Sequence, residues 1–153
     1  MTRICLVALS GLVLSVPAAA SEPGFKAQCA GGTLAGVSAK SSARLDLTGA
    51  ADLVFSCGKT EFRTPYNKIE TVEYGQHVSR RYAAAVLISP MLLLSKERRH
   101  YVTLGFLDGQ GARQAIVFRV DKGDIRSVLA SLEARTGRRI EYQDEEARKG
   151  GKK

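Results

Sequence analysis

The chain has 153 residues, 44% of them hydrophobic, and its 23 Lys and Arg outweigh 15 Asp and Glu to give a net charge of +8. That length leaves room for one ordinary domain with a sizeable core, and not for several. A basic balance points to anionic lipid, acidic polysaccharide or plain solubility.

Taken in chain order, the first element is a leader. Met1-Thr2-Arg3 is a short basic start, Ile4 to Val16 is apolar or small, Pro17 breaks the run, and Ala18-Ala19-Ala20 offers the small side chains a signal peptidase needs. Residues 1–20 are therefore expected to be a signal peptide cleaved before Ser21. The apolar run is shorter than the roughly 20 residues of a membrane-spanning helix. Cys5 lies too early to become a lipidated cysteine. Without Arg3 the remainder holds 22 basic and 15 acidic residues, a charge of +7. Export makes the periplasm or cell envelope, with possible membrane association, the expected location, and makes nucleic acid an implausible partner. Two cysteines survive processing, Cys29 and Cys57. In an oxidising compartment they either form a disulfide or remain two buried thiols that never meet.

Residues 21–32 are small and polar and read as an N-terminal lead-in. The stretch Thr33–Val37 is a candidate strand. Arg44 to Thr48 alternates polar and apolar, as a half-buried strand does. Leu53–Ser56 and Glu61–Thr64 follow as strands, the latter stopped by Pro65. In Ile69–Tyr74 the alternation gives no apolar face, since Thr71 and Glu73 share a side with Ile69, and Glu70 shares one with Val72 and Tyr74. Val78 to Ile88 could hold another strand before Pro90. Tyr101–Leu107 and Ala115–Val120 read as a hairpin around Asp108-Gly109-Gln110-Gly111. The period then changes: Ile125, Val128, Leu129 and Leu132 form one stripe of an amphipathic helix, with Asp124 placed to cap its start and Gly137 its end. Ile140 and Tyr142 add a short extended piece. Residues 143–153 are highly charged and read as a disordered tail.

The order of short strands followed by one amphipathic helix resembles the pleckstrin-homology-like (PH-like) superfold. The stretch EFRTPYNKIETVEYG, with Phe62, Pro65, Tyr66 and Ile69, is similar to a segment of bacterial PH-like and GRAM-type domains. IETVEYGQ, KERRHYVTLGF and LEARTGRRIEYQDEEARK are similar to segments of small exported bacterial proteins. The resemblance implies a mainly β domain over 33–142, a strongly bent antiparallel sheet or partly open barrel capped by the C-terminal helix. It also implies binding of acidic headgroups, peptides or proteins in place of catalysis. Lipid-binding members place basic residues between their first two strands, whereas this chain offers Lys40 and Arg44 there without a dense cluster.

The segment RRYAAAVLISPMLLLSKERRH, residues 80–100, is the candidate contact surface. Leu87, Ile88, Met91, Leu92, Leu93 and Leu94 form its apolar centre, and Arg80, Arg81, Lys96, Arg98 and Arg99 flank it. Exposed, such a patch is more than soluble monomers usually tolerate. It is either core, or a hairpin that dips into an anionic membrane surface or docks on an envelope protein, or a self-association site. Arg80, Arg81, Leu92, Leu93, Lys96, Arg98 and Arg99 are the expected binding residues.

Catalytic signatures are not readable. His77 and His100 do not stand at metal-site spacing with the cysteines, and no nucleophile–base–orienter trio is apparent. Glu70 and Glu73 read as a solvated face. No cofactor and no metal are expected, and the oligomeric state is open. The function expected is that of an exported, non-enzymatic binding module, with an envelope assembly protein that self-associates through 80–100 as the alternative. The expected mature N-terminus is Ser21; mass spectrometry of the protein isolated from its native host reads it directly, and a chain still starting at Met1 contradicts it.

Overall fold

A computed structural model describes residues 24–78 and 98–152. The expected leader 1–20, the strand expected beyond Val78, and the expected site residues Arg80, Arg81, Leu92, Leu93 and Lys96 lie outside the described residues. Within them the chain is mainly β. Eight strands form one sheet: β1 Phe25–Gly32, β2 Ser42–Asp46, β3 Asp52–Cys57, β4 Thr60–Pro65, β5 Ile69–Gly75, β6 His100–Leu107, β7 Arg113–Val120 and β8 Ile140–Tyr142. Helix α1, Ile125–Thr136, and helix α2, Glu145–Lys152, complete the order, and a single 3-10 turn, Tyr66–Lys68, links β4 to β5.

The strand order is β4-β3-β2-β1-β7-β6-β5-β8, with every pairing antiparallel except β5 with β8. The sheet does not close on itself, but it curls strongly. Phe55 on β3 and Phe106 on β6 are four strand spacings apart along the sheet, about 19 Å if it were flat. Their ring centroids lie 6.3 Å apart, and Phe118 on β7 meets Phe55 at 5.5 Å. One face of the sheet therefore wraps a single core. The stripe Ile125, Val128, Leu129 and Leu132 of α1 is buried in that same core, as its spacing predicts.

Two bulges explain where simple alternation misleads. In β5, Ile69 pairs with Phe106 and Thr71 with Gly105, so Glu70 is an extra residue. The insertion resets the period, and Ile69, Val72 and Tyr74 all reach the core at 1% exposure or less. In β1 the extra residue is Ala30, between Cys29 opposite Phe118 and Gly31 opposite Val117. The sheet also has a second apolar face. Ala30, Val78, Tyr101, Ala115 and Val117 form a separate buried cluster, which is why Ala115–Phe118 reads as an unbroken apolar run.

Several expectations need correction. The stretch read as a lead-in is the central strand β1: Phe25, Ala27 and Cys29 face the core, and β2 and β7 pair with its two edges. Thr33–Val37 is not a strand but part of the loop joining β1 to β2. The charged tail is not disordered over Glu145–Lys152, because Ala147 inserts into the core at 0% exposure. Asp144 caps that helix, its Oδ1 accepting from the Ala147 N–H at 2.6 Å. Asp124 occupies the start of α1 without a side-chain capping bond, whereas Gly137 ends it as expected in the left-handed region at φ 67°.

Cys29 and Cys57 form a disulfide with Cα atoms 6.0 Å apart, joining β1 to β3 across β2. Replacing both cysteines by alanine is expected to cost about 2–4 kcal/mol of stability. Urea unfolding followed by circular dichroism measures this, and an unchanged midpoint contradicts a constraining bridge.

Candidate functional site

Arg98 and Arg99 are the two expected site residues that the structure describes. Arg98 does not reach outward alone: its Nη1 is 3.1 Å from Oε2 of Glu146 on α2. The Arg99 N–H donates to the Gln76 carbonyl at 3.3 Å, closing a neck between the end of β5 and the start of β6. Val78, just beyond that neck, belongs to the second apolar cluster.

A basic face assembles nearby from strands far apart in sequence. On the outer side of the sheet Lys26 stands directly opposite Arg44, Gln28 pairs with Ser42 on one side and with Arg119 on the other, and Arg119 pairs with Tyr101 near the neck. Lys40 joins them from the β1–β2 loop. Its backbone sits in the left-handed region at φ 69°, a conformation a lysine adopts only when held there. Its N–H donates to the Cys29 carbonyl at 2.7 Å, and its own carbonyl accepts from Gln28 Nε2 at 3.1 Å. A shallow groove of about 330 Å³ is lined by Lys26, Gln28, Lys40, Ser42, Arg119 and Asp121. Among the described residues, Lys26, Lys40 and Arg119 have no carboxylate within ion-pairing distance. Lys26 and Arg44, directly opposite on neighbouring strands, concentrate positive charge beside the groove.

Sequence reasoning named Lys40 and Arg44 but missed Lys26 and Arg119. The signal for Lys26 was present, since Lys26 and Gln28 alternate with Phe25, Ala27 and Cys29. It became visible only once this stretch was a strand. Arg119 joins through the β1–β7 pairing, which no local pattern announces.

Glu70 and Glu73 do not form the solvated face expected of them, because the β5 bulge at Glu70 resets the period and turns Glu73 inward. Glu70 is exposed and paired with Arg113 Nε at 3.5 Å. Glu73 is 5% exposed and accepts from Gln143 Nε2 at 2.9 Å. Gly75 makes that reach possible, because a Cβ there would collide with the Gln143 side chain. No cluster of three His, Cys, Asp or Glu suited to a metal ion occurs among the described residues.

His100 lies against Tyr74, rings stacked with centroids 6.0 Å apart, and its Nδ1 is 2.6 Å from the Tyr74 hydroxyl. Burial, and secondarily the charge of Lys122, push the imidazole below its ordinary value of 6.5. Burial likewise pushes the Tyr74 phenol up. Both shifts favour a neutral ring hydrogen-bonded through Nδ1 to a neutral phenol. His77 is exposed.

No protein-family model matches the chain, and no curated protein matches it.

His100 makes stability depend on pH with a definite sign. The unfolded chain takes up the proton first as pH falls, so stability is full above 6.5 and declines as pH drops toward the lowered folded-state value. Urea midpoints at about pH 7.5 and about pH 5 should differ in wild type and differ less in His100→Gln; equal differences contradict the assignment.

Proposed function

We propose that the protein is an exported, non-enzymatic binding module of PH-like build, acting at an anionic membrane surface in the periplasm or cell envelope. The Lys26, Lys40, Arg44 and Arg119 face would hold lipid phosphates, and the apolar, Arg-flanked segment 80–100 would enter the headgroup region beside it. The observation that carries this reading is the cluster of Lys26, Lys40 and Arg119 on one face of the sheet, none of which has a carboxylate within ion-pairing distance among the described residues. Cations near an anionic surface each contribute about 1 kcal/mol of attraction.

Three further features support it. The disulfide Cys29–Cys57 is compatible with an exported protein. No described helix is long and apolar enough to cross a membrane, so attachment through described helices would be peripheral. The Arg99 N–H to Gln76 carbonyl bond lies at the start of β6, where Tyr101 pairs with Arg119 of the basic face.

Sedimentation with vesicles tests the proposal. The chain should bind vesicles of phosphatidylcholine mixed with phosphatidylglycerol and not phosphatidylcholine alone, more weakly as salt rises. Lys26→Gln, Lys40→Gln and Arg119→Gln together should weaken binding roughly a hundredfold. Leu92→Asp with Leu93→Asp should also reduce it in a folded protein. Full binding by the triple variant overturns the role of the basic face, and full binding by the leucine variant overturns that of the insert.

A further inference from the structure

Strand β4 ends the sheet. Among the described residues it pairs only with β3. Its hairpin closes on Cys57 and Thr60 around Gly58-Lys59, and alternation in an antiparallel ladder sends successive residues' backbone groups to opposite edges. Tyr66 fixes the parity: its N–H donates inward to the Ala51 carbonyl at 2.9 Å. Thr60, Phe62 and Thr64 therefore bond toward β3, and the N–H and C=O groups of Glu61 and Arg63 face the outer edge.

Side chains on this edge are self-complementary. Glu61 and Arg63 are exposed on one face, two residues apart; Arg63 Nη1 lies 3.7 Å from Asp52 Oδ2 on β3, yet its side chain stays 65% exposed. Phe62 points to the other face, stacked on Phe55 at 5.2 Å and only half-buried. Beside it runs an apolar groove of about 330 Å³ lined by Leu34, Phe62, Pro65, Lys68, Phe106 and Leu107.

We propose that β4 is a dimer interface that takes a second copy of this chain, strand against strand, about a two-fold axis through Phe62. In that register Glu61 stands opposite Arg63 of the second copy, and Arg63 opposite its Glu61. Each pair exchanges both of its outward backbone hydrogen bonds, and the groups left free are the ones the register needs. Directly opposed residues share a face, so Phe62 of the second copy lies over the groove beside Phe62 and Phe106. Charged residues on an edge strand normally discourage pairing. Here their alternating sign rewards one register and an isologous partner. The basic face lies on other strands, so dimerisation and lipid binding are separable.

Charge exchange tests the register. Analytical ultracentrifugation of the purified chain should show a concentration-dependent dimer. E61R and R63E should each raise the dimer dissociation constant at least about tenfold, because both symmetry-related pairs turn repulsive. An equimolar mixture of E61R and R63E should dimerise again, since one chain then presents two arginines and the other two glutamates. The swap variant E61R/R63E should dimerise like wild type. Circular dichroism confirms that each variant is folded, as both side chains are exposed. A wild type that stays monomeric at its highest soluble concentration overturns the proposal. Single variants that dimerise as well as wild type overturn it too, and so does a mixture that fails to recover.

Discussion

The structure depends on the contact between Phe55 and the pair Phe106 and Phe118. These rings bring β3 against β6 and β7, which the sheet order holds several strands apart. An eight-stranded sheet left flat would expose its apolar face; curled around these aromatics it buries that face, with α1 filling the remaining opening. Arg135 near the end of the helix secures it, stacking over the Tyr66 ring at 5.7 Å and donating to the Gly49 and Thr48 carbonyls. Asp46 supports the same corner by accepting from the Thr48 N–H and hydroxyl.

Curling also decides where the polar surface falls. With the core enclosed, Lys26, Arg44 and Arg119 are forced onto the outer side of β1, β2 and β7, and Lys40 is drawn beside them by the loop's hydrogen bonds to Cys29 and Gln28. The bulge at Ala30 helps. It bends β1 where the second apolar cluster begins, so the outer side is basic near the strand's start and apolar near its end. The groove thus follows from core packing and needs no dedicated element.

Local patterning revealed much of the fold. Strands β2, β3, β4, β6 and β7, the α1 stripe and its Gly137 cap follow from periodicity and turn residues, because each is encoded within a few positions. What local pattern hid has definite causes. Strand β1 lacks β-branched residues, and its strand state is imposed by β2 and β7. The faces of β5 were unreadable because Glu70 shifts the period by one. Helix α2 looked like a solvated tail because a single small residue, Ala147, carries its docking. Of the candidate site, the segment 80–100 stood out in the sequence by its apolar run and basic flanks. The basic groove did not, since Lys26 and Arg119 are brought together only by the non-local β1–β7 pairing.

That pairing has a consequence for how the chain reaches this state. Strands β1 to β4 form a local meander, and the Cys29–Cys57 bridge lies wholly inside it. The other edge of β1 stays open until β7 arrives, since Ala27 pairs with Val120. Contacts between such distant parts of a chain form slowly. The meander and its bridge draw only on residues close in the chain, whereas the second ladder of β1 must wait for β7, about ninety residues further on.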